Sequence, residues 1–349
     1  MQILRSERHF GARNIFAAVL AGIFVTLCGV TSATAAQITR EDVREILRAV
    51  VGIQAIVSAE ARTANTLGRV RQGAGVVIDG DGLVLTIGYL ILEASSVTLT
   101  GPEGREIPAS IVAYDHDTGF GLLRALSPLE VKPIRMGRSS DVSAGDQVLA
   151  LGSDVERPMT PQRVMDRRPF AGYWEYLLEN AIFTAPAHPG FGGAPLIDIE
   201  GKLVGIGSLF VGDAYSGPPP VPGNMFVPID LLKPIMADLL TEGRRTDPAQ
   251  PWLGLTTGET AGRVFVSRVT KGGPADVAGM RRGDIIMGVK GQSVDGMVDF
   301  FRKVRAQGSA GTEIPMDILS AAKENMSIER VMVRSRDRHD WLNLRGGSN

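Results

Sequence analysis

Between about residue 50 and residue 230 the apolar residues come in short runs, each closed by glycine or an Asp-Gly turn: VGIQAIV, AGVVIDGDGLVLTIG, SVTLTG, IPASIVAY, FGLLRAL, DQVLALG, NAIFTA, APLIDIEGKLVGIGSLFVG and NMFVPI. A core helix needs an apolar stripe at a 3.6-residue period over some ten residues, whereas a buried strand needs only about four to eight. This stretch therefore predicts many short antiparallel strands in a sandwich or barrel, with VVIDGDGLVL and LIDIEGKLVGI as hairpins. The period changes on either side. EDVREILRAV reads as a helix that Thr39 can cap, and IDLLKPIMADLL reads as a helix closing the β-rich region.

TEGRRTDPAQP at 241–251 is polar and ends in proline, the composition of a linker. A second unit follows, with strands VFVSRV and IIMGVKG, the turn GGPADVAGMRRGD, an amphipathic helix MVDFFRKVRAQ, and strands EIPMDILS and SIERVMV. Its length of about 90 residues can hold a core of its own. The expected division is 1–36 leader, 37–240 β-rich domain, 241–251 linker, 252–337 second domain and 338–349 polar tail.

The leader rests on Arg5, Arg8 and Arg13, then the apolar run IFAAVLAGIFVTLCGV, then small residues at TSATAAQ. This is the layout of a secretory signal peptide, with cleavage expected after Ala35 or Ala36; an uncleaved anchor is the alternative. Cys28 is the only cysteine and lies in this segment, so the mature chain has no thiol for a disulfide or a metal. Removing Arg5, Arg8, Arg13 and Glu7 from 37 basic and 38 acidic residues leaves 34 and 37, a net of −3. Neither nucleic acid nor an anionic membrane surface is expected as a partner, and membrane attachment arises only if the leader stays. The expected location is the bacterial periplasm.

HPGFGGAPL at 188–196 places glycines at 190, 192 and 193 beside a proline. Such a turn calls for positive φ and close backbone approach, as does one presenting a catalytic serine. This one has no serine.

Six stretches in order now carry a resemblance: GAGVVIDGDGLVLTIGYLI, DHDTGFGLLRA, PGFGGAPLIDIEGKLVGIGS, GNMFVPI, PWLGL and GGPADVAGMRRGDIIMGVKGQSV. Over about residues 70 to 335 the chain resembles the HtrA or Deg group of envelope serine proteases. The resemblance implies a mainly β fold: a chymotrypsin-like double β-barrel followed by one α+β PDZ domain.

That chemistry needs a nucleophilic serine, a histidine to take its proton and an aspartate to orient the imidazolium. The resemblance puts Tyr89 in the histidine's place, Gly119 in the aspartate's and Gly192 in the serine's. A phenol with an ordinary pKa of about 10 is no base near neutral pH. What the loop retains is backbone, and the amides of Gly190 and Gly192 are expected to remain as an oxyanion-hole-like pair. Ser208 falls on a strand after the loop.

In the PDZ unit, the resemblance makes Trp252, Leu253, Gly254 and Leu255 a carboxylate-binding loop for a peptide C-terminus. Met297, Phe300 and Phe301 are expected to line the pocket for its last side chain, although Phe300 and Leu255 read equally as core residues. SGPPPVPG at 216–223 reads as a stiff loop or a recognition segment.

The expected function is a non-catalytic binder of unfolded chains or protein C-termini, acting as chaperone, adaptor or regulator and calling for no cofactor. Two alternatives stand beside it. One is a serine endopeptidase with an unrecognised nucleophile. The other is a metal-binding envelope protein in which His116, with Asp115 or Asp117, joins His188. A homo-oligomer is open, but QITREDVREILRAV lacks the aromatic residues through which family members trimerise.

Overall fold

A computed structural model describes residues 39–154, 156–320 and 327–342; the leader expected at 1–36 lies outside the described residues. Thr39 opens helix α1 (Arg40–Arg48) as expected: its Oγ1 accepts the N–H of Asp42, whose carboxylate accepts the N–H of Thr39 at 2.9 Å. A reciprocal box of this kind stabilises a helix start by about 1 kcal/mol.

The β-rich region forms two closed barrels. The first contains β1 (Val50–Val57), β2 (Val70–Val77), β3 (Leu83–Ile87), β4 (Ala94–Thr100), β5 (Glu106–Tyr114) and β6 (Phe120–Ala125), with the single-turn α2 (Ala64–Leu67) between β1 and β2. Its strand order is β1-β2-β3-β6-β5-β4, and β4 returns to pair with β1. The second contains β7 (Gln147–Leu151), β8 (Met159–Gly172), β9 (Tyr176–Ala185), β10 (Pro195–Ile197), β11 (Leu203–Tyr215) and β12 (Val221–Pro228), in the order β10-β11-β12-β9-β8-β7, with β10 closing onto β7.

Both predicted hairpins form by the same device. Asp79 Oδ1 accepts the N–H groups of Asp81 and Leu83 in the β2–β3 turn, and Asp198 Oδ1 accepts those of Glu200 and Lys202 in the β10–β11 turn, all at 2.7–2.9 Å. Inward residues such as Leu85, Phe120, Leu122 and Phe183 are fully buried. Each contributes roughly 1.5–3 kcal/mol relative to exposure.

The closing helix is shorter than expected. IDLLKPIMADLL makes two 3-10 turns, Ile229–Leu231 and Lys233–Ile235, before α3 (Met236–Glu242). Pro234 has no N–H to donate and breaks the α-helical ladder there. Of SGPPPVPG, residues 221–223 open β12, and 216–220 turn between β11 and β12.

The third sheet runs β13-β14-β15-β17-β18, with β16 on β15. It contains β13 (Leu255–Thr260), β14 (Arg263–Val269), β15 (Ile285–Val289), β16 (Gln292–Ser293), β17 (Glu313–Leu319) and β18 (Ile328–Arg334), with helices α4 (Pro274–Val277) and α5 (Gly296–Arg305). α5 turns Phe300, Phe301 and Val304 onto a core that includes Leu253, Val266, Ile286, Met316 and Val333. Strand β13 is one edge of this sheet.

The stretch expected as a linker is tied to both sides. Arg245 pairs with Asp117 of the first barrel at 3.0 Å, and Arg244 with Asp337 after β18 at 2.6 Å. Residues expected as a polar tail begin with a docked turn, α6 (Arg338–Trp341). Trp341 lies 5.2 Å from Trp252, centre to centre, and the Arg62 guanidinium sits 4.1 Å over its ring.

Candidate functional site

The 3-10 turn Gly88–Leu90 at the end of β3 carries Tyr89 toward the second barrel. There the Tyr89 hydroxyl donates to the carbonyl of Ser208 at 3.0 Å. β11 shifts register between Gly207 and Leu209, which leaves the Ser208 carbonyl off the sheet ladder and free to accept. Burial pushes the Tyr89 phenol well above its ordinary ionisation range, so it takes no proton at neutral pH.

The loop before β10 meets Tyr89. A Cβ at Gly192 would lie 2.8 Å from the Tyr89 hydroxyl, and the Gly192 carbonyl accepts the N–H of Ala74 at 2.8 Å. Among the loop's three glycines only Gly193 takes positive φ, at +77°; Gly190 and Gly192 do not, contrary to the sequence expectation. Gly193 carries the close approach too, because its Cβ would stand 1.9 Å from the Ala74 carbonyl oxygen. Its N–H donates to Gly207 at 2.8 Å. Among the described residues, none accepts from the amide of Gly190 or of Gly192.

Gly119 completes the group. Its carbonyl accepts the N–H of Gly88 at 2.6 Å, which sets it beside the Tyr89 turn. It has φ +82°, and a Cβ there would meet the Tyr176 hydroxyl at 3.2 Å. The Tyr176 hydroxyl donates to the carbonyl of Thr118. Tyr89 thus meets Gly192 directly, and Gly119 lies beside the turn that carries Tyr89. Tyr176, on β9, had no signal in the sequence beyond being an aromatic residue.

His188 is fully buried behind the loop. Its Nδ1 pairs with Thr160 Oγ1 at 2.9 Å, its N–H donates to Asn224 Oδ1 at 2.6 Å, and Gln162 bridges Asn224 to the carbonyl of Pro186. Burial holds its pKa below the usual imidazole range. His116 lies elsewhere, edge-on to Tyr114 at 4.3 Å and 6.3 Å from the His339 ring, with both of its ring nitrogens buried and unpartnered. Burial and the nearby Arg338 hold its pKa well below the usual range. The expected pairing of His116 with His188 is not formed, and no group of three or more His, Cys, Asp and Glu side chains able to hold a metal occurs among the described residues. His116 instead lines a cavity of about 160 Å³ with Glu175, Arg244, Arg245, Arg305 and Arg338.

In the third unit, Leu253 and Leu255 direct their N–H groups at one carboxylate. It belongs to Glu175, in the turn between β8 and β9: Oε2 accepts from Leu253 and Oε1 from Leu255, each at 2.7 Å. Gly254 between them takes φ +78°, which turns the flanking N–H groups to the same side. Burial pushes the Glu175 carboxyl up to about 7 against the pull of these N–H groups and Arg338. Trp252 packs on Trp341, outside this contact. Phe300, Phe301 and Leu255 are core residues, contrary to the expected pocket lining for the two phenylalanines, and Met297 packs partly buried against the same apolar cluster. Sequence reasoning missed Glu175. Its one trace was a three-residue turn, Tyr173–Glu175, with no glycine where such turns favour one.

Family models match in two places: a trypsin-like peptidase domain at residues 73–206 and a PDZ domain at residues 265–319. The chain is 28% identical over 283 residues to the serine protease Do-like HtrA of Bacillus subtilis, covering 72% of this chain and 61% of that protein. It is 25% identical over 270 residues to a probable periplasmic serine endoprotease DegP-like of Pseudomonas fluorescens, covering 72% and 54%. The match thus spans between half and two thirds of these relatives' lengths. Among solved structures, the HtrA-type protease AlgW with decapeptide is similar with a TM-score of 0.51 at 21% identity, covering 85% of this chain and 98% of that one. A serine endoprotease from Yersinia pestis gives 0.50 at 23%, covering 85% and 96%. At these identities the likeness shows the fold.

Proposed function

We propose, for a chain that carries a trypsin-like peptidase domain and a PDZ domain and is homologous to the HtrA and DegP proteases, that it binds protein chains without cutting them. The observation that carries this reading is the contact between the two barrels, where the Tyr89 hydroxyl stands over Gly192. Proteolysis of this type needs a nucleophile, a base and an orienting acid. Gly192 and Gly119 have no side chain to supply the first and third, and the Tyr89 phenol is held protonated.

Binding groups survive. The amides of Gly190 and Gly192 can receive a peptide carbonyl. Trp252, Leu253, Gly254 and Leu255 serve as the carboxylate loop of the PDZ unit, and the apolar cluster of Phe300 and Phe301, with Met297 packed against it, receives the last side chain. The partners are protein C-termini and unfolded chains, and the role is that of a chaperone, adaptor or regulator. An envelope location is supported by the periplasmic relatives and by the arginine, apolar and small-residue order of residues 1–36.

Fluorescent octapeptides ending in a free Val, Leu or Phe, each with an amidated twin, test the binding half. Free-carboxylate peptides should bind the protein and the amidated ones should not; equal binding of both would refute a carboxylate site.

A further inference from the structure

The turn between β8 and β9 does more than join two strands. The Glu175 side chain and the Tyr173 backbone meet the third unit along the loop and edge strand that a bound peptide terminus would use. Glu175 gives its two carboxylate oxygens to the N–H groups of Leu253 and Leu255. Two residues on, the N–H of Thr257 donates to the carbonyl of Tyr173 at 2.9 Å. Alternate N–H groups, at 253, 255 and 257, thus face the turn, which is the spacing of strand addition at an edge, and β13 is that edge.

Apolar contact follows the same line. Leu177 at the start of β9 is buried in the cluster of Phe300, Phe301 and Val304, and it is the one barrel residue fully buried there among the described residues. Its carbonyl accepts from Arg305 of α5 at 3.3 Å, and Glu179 is paired with Arg302, one turn earlier on the same helix. Carboxylate in the loop, backbone on the edge strand and apolar side chain against α5 together make a complete ligand.

Backbone conformation argues in the same direction. Glu175 has φ +62°, the left-handed region, at the third position of a three-residue hairpin loop where glycine is the ordinary residue. A glutamate is held there against its preference, and its carboxylate is what the contact uses.

We propose that Glu175 is a built-in occupant of the carboxylate loop, and that a peptide with a free C-terminal carboxylate and an apolar last side chain binds by displacing it. The proposal rests on the peptide-binding reading given above. Its consequence is that the binding site is closed in the resting protein and that the β8–β9 turn of the barrel is released when the site fills. Occupancy of the PDZ unit is thereby linked to the barrel that holds the cleft, since β9 also carries Tyr176 behind Gly119.

The test uses the chain from residue 37 as wild type, Glu175→Gly and Glu175→Gln, at pH 8. Glu175→Gly removes the carboxylate and suits the left-handed backbone, so the turn keeps its shape. Amide exchange of Leu253 and Leu255 should be slow in the wild type and at least about tenfold faster in Glu175→Gly, because these two N–H groups lose their acceptor. The free-carboxylate octapeptides should bind both variants at least about tenfold more tightly than the wild type, since a site mostly closed shows its affinity reduced by the open fraction. Equal affinity and equal exchange in wild type and Glu175→Gly would overturn the built-in occupant while leaving a peptide site standing. Absence of binding by all three proteins would overturn the peptide site, and the proposal with it.

Discussion

The hydroxyl of Tyr89 lies 2.8 Å from where the Cβ of any residue but glycine would stand at position 192. The two positions are therefore matched: the tyrosine fills space that any side chain at 192 would need, and the glycine lets the tyrosine reach Ser208. This is a settled packing arrangement rather than one lost residue.

A serine placed alone at position 192 is expected to gain no activity. Gly192→Ser must push aside the Tyr89 hydroxyl and finds no base beside it. The variant should stay unlabelled by a fluorophosphonate probe and lose about 1 kcal/mol in urea unfolding.

The loop's glycines should differ in cost. Gly193→Ala places a methyl 1.9 Å from the Ala74 carbonyl oxygen at φ +77°, and should cost about 3 kcal/mol or more. Gly190→Ala meets only His188 Nε2 at 3.4 Å and should stay within about 0.5 kcal/mol of wild type. Urea unfolding of the two variants checks the difference.

Asn224 joins His188 and Gln162 inside the second barrel. Asn224→Leu leaves the His188 N–H and the Gln162 amide with a lost acceptor in a buried place. The expected loss is about 2–3 kcal/mol, again read by urea unfolding.

Glu175 sets a pH dependence. Its carboxyl titrates at about 7 when docked, against 4.5 for a free glutamate, so the docked form binds more protons between these values. The contribution is fully present below 4.5 and is lost as pH rises through about 7, on the order of 3 kcal/mol in all. Facing groups are Arg338 and His339 on α6, Asp337 before it, Arg244, Arg245 and Asp247 in the connecting stretch, Asp115, His116 and Asp117 before β6, and Arg305 on α5. His116, held neutral by burial, has the opposite slope, so the measurement is the difference between wild type and Glu175→Gln. Wild-type stability should fall relative to the variant from pH 5 to pH 8, while its affinity for free-carboxylate peptides rises toward the variant's.

Much of the fold was legible because it depends on local signals. The Asp79 and Asp198 hairpins, the Thr39 box and the face of α5 each follow from a few neighbouring residues. The resemblance singled out positions 89, 119 and 192, and the structure adds the contacts that Tyr89 makes with Ser208 and over Gly192. The long closing helix failed because Pro234 lies within it, and the polar composition of 241–251 and 338–349 gave no sign of the ion pairs and ring contacts those residues make across the fold. Glu175 was hidden for the same reason: its partners are about 80 residues away, and a glutamate in a turn carries no mark of what it will bind.

Incubation of the purified chain from residue 37 with unfolded casein, followed by mass spectrometry of the peptides, addresses the cleft itself. The account predicts intact casein at every time point and no serine labelled by fluorophosphonate. Casein cleavage by the wild type that Gly192→Ala or Tyr89→Ala abolishes would contradict it.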